Sequence, residues 1–444
     1  MKTIGTCTGI SGRLTWLVCC LCLGCLSFKS FSQPSREKAT KGEELRLLYK
    51  SKSLFKLNLQ FAKYQNDLSE KDRLFYRSIL DNAFNRCIQS NQDIAALRKT
   101  YEDLLPDSTA KELFNIEADN FIKLYQYKAA AMCYTKLAAK YKTPADSAAL
   151  ADIENSKALW GAISDVPPQE ITVLKTTTVT WKKDKIGLLQ IPVVHHEDSC
   201  FLVFDTGANL SVITKTAARK LGMRIYPVKL DLASGTTGQL VQSSLAVADS
   251  LYLGGMLIKN AVFLLLPDEM LYFKHGDYSQ EGIIGEPVMA QLKEINIHQD
   301  GRLEIPLHPS KSHFQNLALD GLMPIADFTV QKDSLPFRFD TGAGSSVLYH
   351  PYFDRYRKEV VQNGAPYKLK TNGVGGTITE SDAYTIRNFS IGIANHSTTL
   401  SKINVRTGPV GAEKDVFYGN LGLDAIGQFN TLTINFESMF IDVH

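Results

Sequence analysis

Cysteine is scarce where it would matter for folding. Of eight cysteines in 444 residues, five (Cys7, Cys19, Cys20, Cys22, Cys25) crowd into the N-terminal segment. Cys87, Cys133 and Cys200 remain, an odd and sparse set that excludes a disulfide-rich scaffold. A Cys87–Cys133 bridge and two buried helix cysteines are both compatible with these positions. Net charge is scarce as well. The formal excess of +3 equals the N-terminal Lys2, Arg13 and Lys29, so the rest of the chain is balanced and no nucleic acid or anionic surface is implied as a partner. Familiar catalytic signatures are missing too. There is no His-Glu-x-x-His, no Gly-x-Ser-x-Gly and no phosphate loop ending in Lys-Ser/Thr. His195 and His196 are adjacent, and on a strand they would face opposite sides, which favours surface positions over metal ligation. No metal and no cofactor is implied.

The N-terminal segment reads as a signal peptide over residues 1–32. Lys2 and Arg13 precede an apolar run from Leu14 to Phe28, and Ser30 and Ser32 supply a small-x-small cleavage site. The run is too short to span a bilayer comfortably, and no later segment approaches a membrane span. Export to the periplasm of a bacterium or to the medium follows. Leu23-Gly24-Cys25 gives a second reading, lipoprotein processing at Cys25.

From about Lys41 to Trp160 the apolar residues recur at helical spacing, so residues 33–165 are expected to form a helical domain. Ser69-Glu70-Lys71-Asp72 forms an N-terminal capping pattern before Leu74, Phe75, Ile79 and Leu80. Phe114, Ala118, Phe121, Tyr127, Ala130, Tyr134 and Leu137, with Pro144 beyond them, resemble one tetratricopeptide repeat; an irregular helical bundle is the alternative. The domain carries no cluster of reactive side chains, so it is expected to pack or to dock a protein partner. Pro167-Pro168 halts the helix. Beyond it the texture changes to short β-branched and aromatic runs punctuated by Gly, Asn and Asp, which is the pattern of an all-β region.

Within that region the sequence repeats. Phe204-Asp205-Thr206-Gly207-Ala208 matches Phe339-Asp340-Thr341-Gly342-Ala343, and Ser211-Val212-Ile213 matches Ser346-Val347-Leu348 at the same offset. A helical segment follows each copy (Lys215 to Leu221, Pro351 to Val360). Further on come Ile283-Ile284-Gly285 and Asn420-Leu421-Gly422. Each copy also carries a Gly-rich turn, with Gly235 and Gly238 in the first and Gly375 and Gly376 in the second.

These paired Asp-Thr-Gly-Ala motifs, each with a later hydrophobic–Gly step (Ile284-Gly285, Leu421-Gly422), resemble the aspartic proteases. The Ala after Gly is closer to the retropepsin-like branch. The resemblance implies a two-lobed, pepsin/retropepsin-like β domain, lobe 1 at 173–308 and lobe 2 at 312–444, acting on a peptide or protein substrate. Asp205 and Asp340 would be the catalytic pair, because two carboxylates sharing one proton can both activate water and protonate the scissile amide. Thr206 and Thr341 would bond across the two-fold axis, and Gly207 and Gly342 would admit close backbone approach. Gly235, Gly238, Gly375 and Gly376 are candidate flaps. Ala208 and Ala343 stand where pepsin-like sites place a hydroxyl donor, so the pair should hold its shared proton to higher pH. The resemblance also has gaps. No flap tyrosine of the pepsin kind is present, and Glu286-Pro287 and Leu423-Asp424 stand where retropepsins have Arg-Asp or Arg-Asn. A catalytically silent peptide-binding protein of the same fold is the competing reading.

Overall fold

The computed structural model describes residues 40–140, 147–233, 240–273, 277–372, 378–409 and 416–444. The signal-like segment, Cys25 and all four candidate flap glycines lie outside the described residues. Seven helices come first: α1 (Lys41–Lys50), α2 (Leu54–Tyr64), α3 (Glu70–Ala83), α4 (Cys87–Tyr101), α5 (Asp107–Lys123), α6 (Tyr127–Ala138) and α7 (Ser147–Ala162). Ser69 caps α3 as its spacing predicts, its Oγ accepting the Asp72 N–H at 3.1 Å. Short turns fold α3 against α4 and α5 against α6. Each turn has one left-handed residue, Asn85 (φ 59°) and Tyr125 (φ 56°). The same wide bond closes both, Arg86 N–H to Asp81 O at 2.6 Å and Gln126 N–H to Phe121 O at 2.8 Å. Phe114, Ala118, Tyr127, Ala130 and Leu137 are buried and Phe121 and Tyr134 partly so. Cys87 and Cys133 are free and buried, so the helices carry no bridge between them. Among the described residues no helix is long and apolar enough to cross a membrane.

The region after Pro168 is β-rich. A nine-stranded sheet uses residues 170–284, an eight-stranded sheet uses residues 317–421, and a five-stranded sheet takes strands from residues 177–180, 294–305 and 431–443. In the first sheet, strand Asp198–Phe204 runs parallel to Gly282–Ile284 with Val203 opposite Ile283. In the second, Asp333–Phe339 runs parallel to Gly419–Leu421 with Arg338 opposite Asn420. The five-stranded sheet joins the two halves, because Glu294–His298 pairs antiparallel with Thr431–Asn435. Strand Phe440–Val443 flanks it on one side, and Arg302–Ile305 and Thr177–Thr180 on the other.

One hydrophobic core runs through helices and sheets alike, from Leu45, Phe61 and Ile94 to Phe204, Phe339 and Val443. A second cluster sets Tyr127, Trp160 and Ile163 against Leu245 and Val247 of the first sheet. Polar contacts reinforce the join: Tyr125 Oη donates to Pro287 O at 2.7 Å and Asn85 Nδ2 to Phe436 O at 3.1 Å. The helices therefore do not stand apart as a docking module. Removing them would expose apolar surface on both sheets, at roughly 25 cal/mol for each Å² uncovered.

Candidate active site

Each Asp loop is anchored from below. Phe204 and Phe339 are fully buried and hold the strand ends in the core. Asp205 N–H donates to Ile284 O and Asp340 N–H to Leu421 O, both at 3.0 Å. The loops then turn identically. Gly207 N–H donates to Asp205 Oδ1 at 2.8 Å, and Gly342 N–H to Asp340 Oδ1 at 2.9 Å.

The two loops lock together through their threonines. Thr206 N–H donates to Thr341 Oγ1, and Thr341 N–H to Thr206 Oγ1, both at 3.0 Å. Each hydroxyl passes its own proton onward, Thr206 to Phe339 O at 2.8 Å and Thr341 to Phe204 O at 2.7 Å. Four bonds between buried groups fix the two loops relative to each other. With valine at both positions the shape would be kept but none of these bonds could form, so the lock needs a hydroxyl on each side chain. The glycines serve the opposite carboxyl. A Cβ on Gly207 would lie 2.6 Å from Asp340 Cγ, and one on Gly342 would lie 2.2 Å from Asp205 Cγ. Each loop therefore surrenders a side chain so that the other loop's carboxyl can approach.

Behind the loops the repeat continues. Gly285 N–H donates to Ser211 Oγ and Gly422 N–H to Ser346 Oγ, both at 3.0 Å. This explains why Ser recurs beyond each Asp. A Cβ on Gly285 would meet Ala208 O at 2.6 Å, and one on Gly422 would meet Ala343 O at the same distance. Ala208 and Ala343 present only methyls, so neither side chain donates to a carboxyl.

The electrostatics are not symmetric. Burial pushes the Asp205 pKa well above the usual carboxylate range, and the charge and hydrogen bond of Asp340 push it further. The backbone amides of Gly207 and Gly342 pull the other way. Asp340 has a donor that sequence reasoning missed: Asn420 Nδ2 donates to its Oδ2 at 2.9 Å. Both oxygens of Asp340 thus accept from fixed N–H groups. The position equivalent to Asn420 in the first half is Ile283, an apolar residue with nothing to donate. Aligning the two copies on Gly285 and Gly422 would have exposed that difference. Asp424 was also passed over. Its Oδ1 accepts from Ser346 N–H at 2.8 Å and from Ser346 Oγ at 2.6 Å.

His195 and His196 depart from expectation. They do not face opposite ways: the strand ends at His195, and His196 turns the chain at φ +54°. Their rings meet edge to face, 4.3 Å between centroids. His196 is exposed, while His195 is partly buried beside Ser250 O at 2.9 Å. Among the described residues no group of three or more His, Cys, Asp or Glu is placed to hold a metal.

No curated protein matches the chain. A family model described as aspartyl protease matches residues 191–288. That span holds the Asp205 loop, its supporting strands and Gly285, so the comparison supports an aspartyl protease-like family for the β-rich region.

Proposed function

We propose that this chain is an exported aspartic endopeptidase whose two β halves form one two-lobed, retropepsin-like active site within a single polypeptide. The observation that carries this reading is the reciprocal Thr206–Thr341 lock, which aligns the Asp205 and Asp340 loops around each other. A scaffold with no chemistry to perform gains little from two half-buried carboxyls held against each other. That weighs against the silent peptide-binding alternative.

In this reading the pair shares one proton. The proton is placed on Asp205, where the apolar Ile283 stands in the position of the Asn420 donor beside Asp340. Asp340 is the carboxylate, because its two oxygens face the N–H groups of Gly342 and Asn420. Asp340 then draws a proton from a water molecule, and the resulting hydroxide attacks the scissile carbonyl carbon. Asp205 gives its proton to the carbonyl oxygen as the tetrahedral intermediate forms. Collapse of the intermediate expels the amine, which takes from Asp340 the proton drawn from the water, while a hydroxyl of the intermediate returns a proton to Asp205, so the pair ends as it began. With alanine at both hydroxyl-donor positions, the optimum falls in the mildly acidic to near-neutral range.

The paired helical hairpins α3–α4 and α5–α6 are read as tetratricopeptide-like, serving as a brace for the protease and as the surface for any protein partner. Residues 1–32 are read as the cleaved export signal, which N-terminal sequencing of the mature chain checks.

The decisive experiment incubates purified residues 33–444 with a diverse peptide mixture, beside Asp205→Asn and Asp340→Asn. Each substitution should lower the hydrolysis rate by roughly 10²- to 10⁴-fold. Mixing the two variants should restore nothing. Undiminished hydrolysis by both variants, or recovery on mixing, would overturn the single-chain dyad.

A further inference from the structure

The two halves repeat in backbone but not in the side chains around each Asp. In strand Asp333–Phe339, Phe337 and Phe339 are buried in the main core. Arg338 lies between them and points to the other face, the one that carries Asp340. Its equivalent in the first half, at the same offset as the two Asp residues, is Val203. Arg406 has an equivalent by register. Val347 pairs with Asn404 where Val212 pairs with Leu264, so Arg406 corresponds to Leu266. Asn420 corresponds to Ile283. Val203, Leu266 and Ile283 belong to one apolar cluster beside Asp205. The same three positions beside Asp340 are all hydrogen-bond donors, and two of them are cations.

Among the described residues those cations lack a counter-ion. Arg406 is only 7% exposed. Its Nη2 reaches Thr371 Oγ1 at 3.3 Å, yet its Nε is buried with no partner. Arg338 Nε is likewise buried and unpartnered. Both guanidinium groups approach the ring of Tyr349, at 6.0 and 5.2 Å from its centroid. Among the described residues neither meets a carboxylate. Taking a guanidinium out of water without an anion is unfavourable by several kcal/mol. A carboxylate is the group whose geometry satisfies its planar fork.

We infer that Arg338 and Arg406 form a subsite for a substrate carboxylate next to the scissile bond, while the Val203–Leu266–Ile283 face takes an apolar side chain. The spacing fits this arrangement. Arg338 precedes Asp340 by two residues, about 7 Å along a strand, which an arginine side chain spans. An extended peptide lying over the dyad would bring the side chain beside the cleaved bond to this place. The carboxylate can come from an Asp or Glu side chain or from a substrate C-terminus.

This inference rests on the proposed protease reading, and the test separates the two. Peptides carrying Glu or its isostere Gln at each position flanking a cleaved bond would be compared, each with free and amidated C-termini. For the wild-type chain, kcat/KM should favour Glu over Gln at one flanking position by about tenfold or more, the worth of one charge-assisted hydrogen bond. Should the preference instead follow the free C-terminus and vanish on amidation, the carboxylate is the terminal one. In Arg338→Met and Arg406→Met the ratio should collapse toward one. Cleavage with equal rates for Glu and Gln and no effect of amidation would overturn the subsite while leaving the protease intact, as would a preference that both variants retain. The wild-type ratio decides even if a variant fails to fold. A chain that cleaves none of the peptides, nor any in a diverse mixture, would overturn the proposed function itself.

Discussion

The first and second sheets build the same device from the same backbone and then surround it with opposite chemistry. Loops, threonine bonds, supporting serines and glycines correspond one to one. Around them, Val203, Leu266 and Ile283 of one half face Arg338, Arg406 and Asn420 of the other. A site assembled from two identical chains must be the same on both sides. A single chain is free to let its halves diverge wherever geometry is not fixed by the dyad. On the proposed protease reading, the difference separates what the chemistry requires, which is repeated, from what selects a substrate or assigns a proton, which is not.

The strongest test of the repeated part is Gly207→Ala beside Gly342→Ala. Either methyl would collide with the opposite carboxyl. Displacing a carboxyl by about 1 Å costs roughly 100-fold in rate. Both variants should lose hydrolysis to a similar degree in steady-state assays. A large loss from only one would break the equivalence of the loops.

The next contrast lies one residue past each supporting glycine, where the first half has Glu286 and the second has Leu423. Glu286 is buried, and burial raises its pKa to about 8. Lys123 of α5 opposes the rise, but Lys123 is itself bonded to Asp119 at 2.7 Å. One carboxyl oxygen, Glu286 Oε1, has no partner. A carboxyl whose pKa is higher folded than unfolded stabilises the fold while protonated. That stability is complete below the unfolded value and is lost as pH climbs toward 8. Thermal and urea unfolding should show about 2–4 kcal/mol lost between pH 5 and 8. Glu286→Gln should flatten the curve and be the more stable protein at pH 8. An unchanged slope in Glu286→Gln would assign the loss to another group.

The smallest effect expected is the most informative about proton position. Asn420→Leu gives the second half the apolar character of Ile283. The Asn420 bond favours charge on Asp340, so losing it makes the first ionisation of the pair harder. The acid limb of the pH–rate profile should rise by about one unit. The bond is present on both sides of the second ionisation, so the alkaline limb should stay. A shift confined to the alkaline limb would put the shared proton on Asp340 instead.

The sequence made the repeated part visible because the dyad tolerates so few residue types there. Phe, Asp, Thr, Gly and Ser recur at fixed spacing since each is tied to a bond or a close approach. The diverged part stayed hidden. Arg338 and Asn420 sit on short strands where an isolated polar residue reads as solvent-facing, and only the parallel pairing of their strands sets them side by side. The helical texture of residues 41–162 was plain from its periodicity. Periodicity says which face of a helix is apolar but not what covers it, so the core shared with both sheets did not show. The histidine pair was misplaced for a local reason: a strand was assumed to continue through His196, where the chain turns.

The five-stranded sheet has a consequence for when the two halves are joined. Its central partners, Glu294–His298 and Thr431–Asn435, are separated by most of the second half, and Phe440–Val443 adds to it later still. A ribosome delivers both Asp loops before Thr431–Asn435 and Phe440–Val443. During that interval the chain holds both Asp loops without the girder that joins their halves. Slow, long-range pairing of this kind completes late in folding. On the proposed protease reading, hydrolysis would be deferred until these last strands have paired, a delay built into the order of the chain.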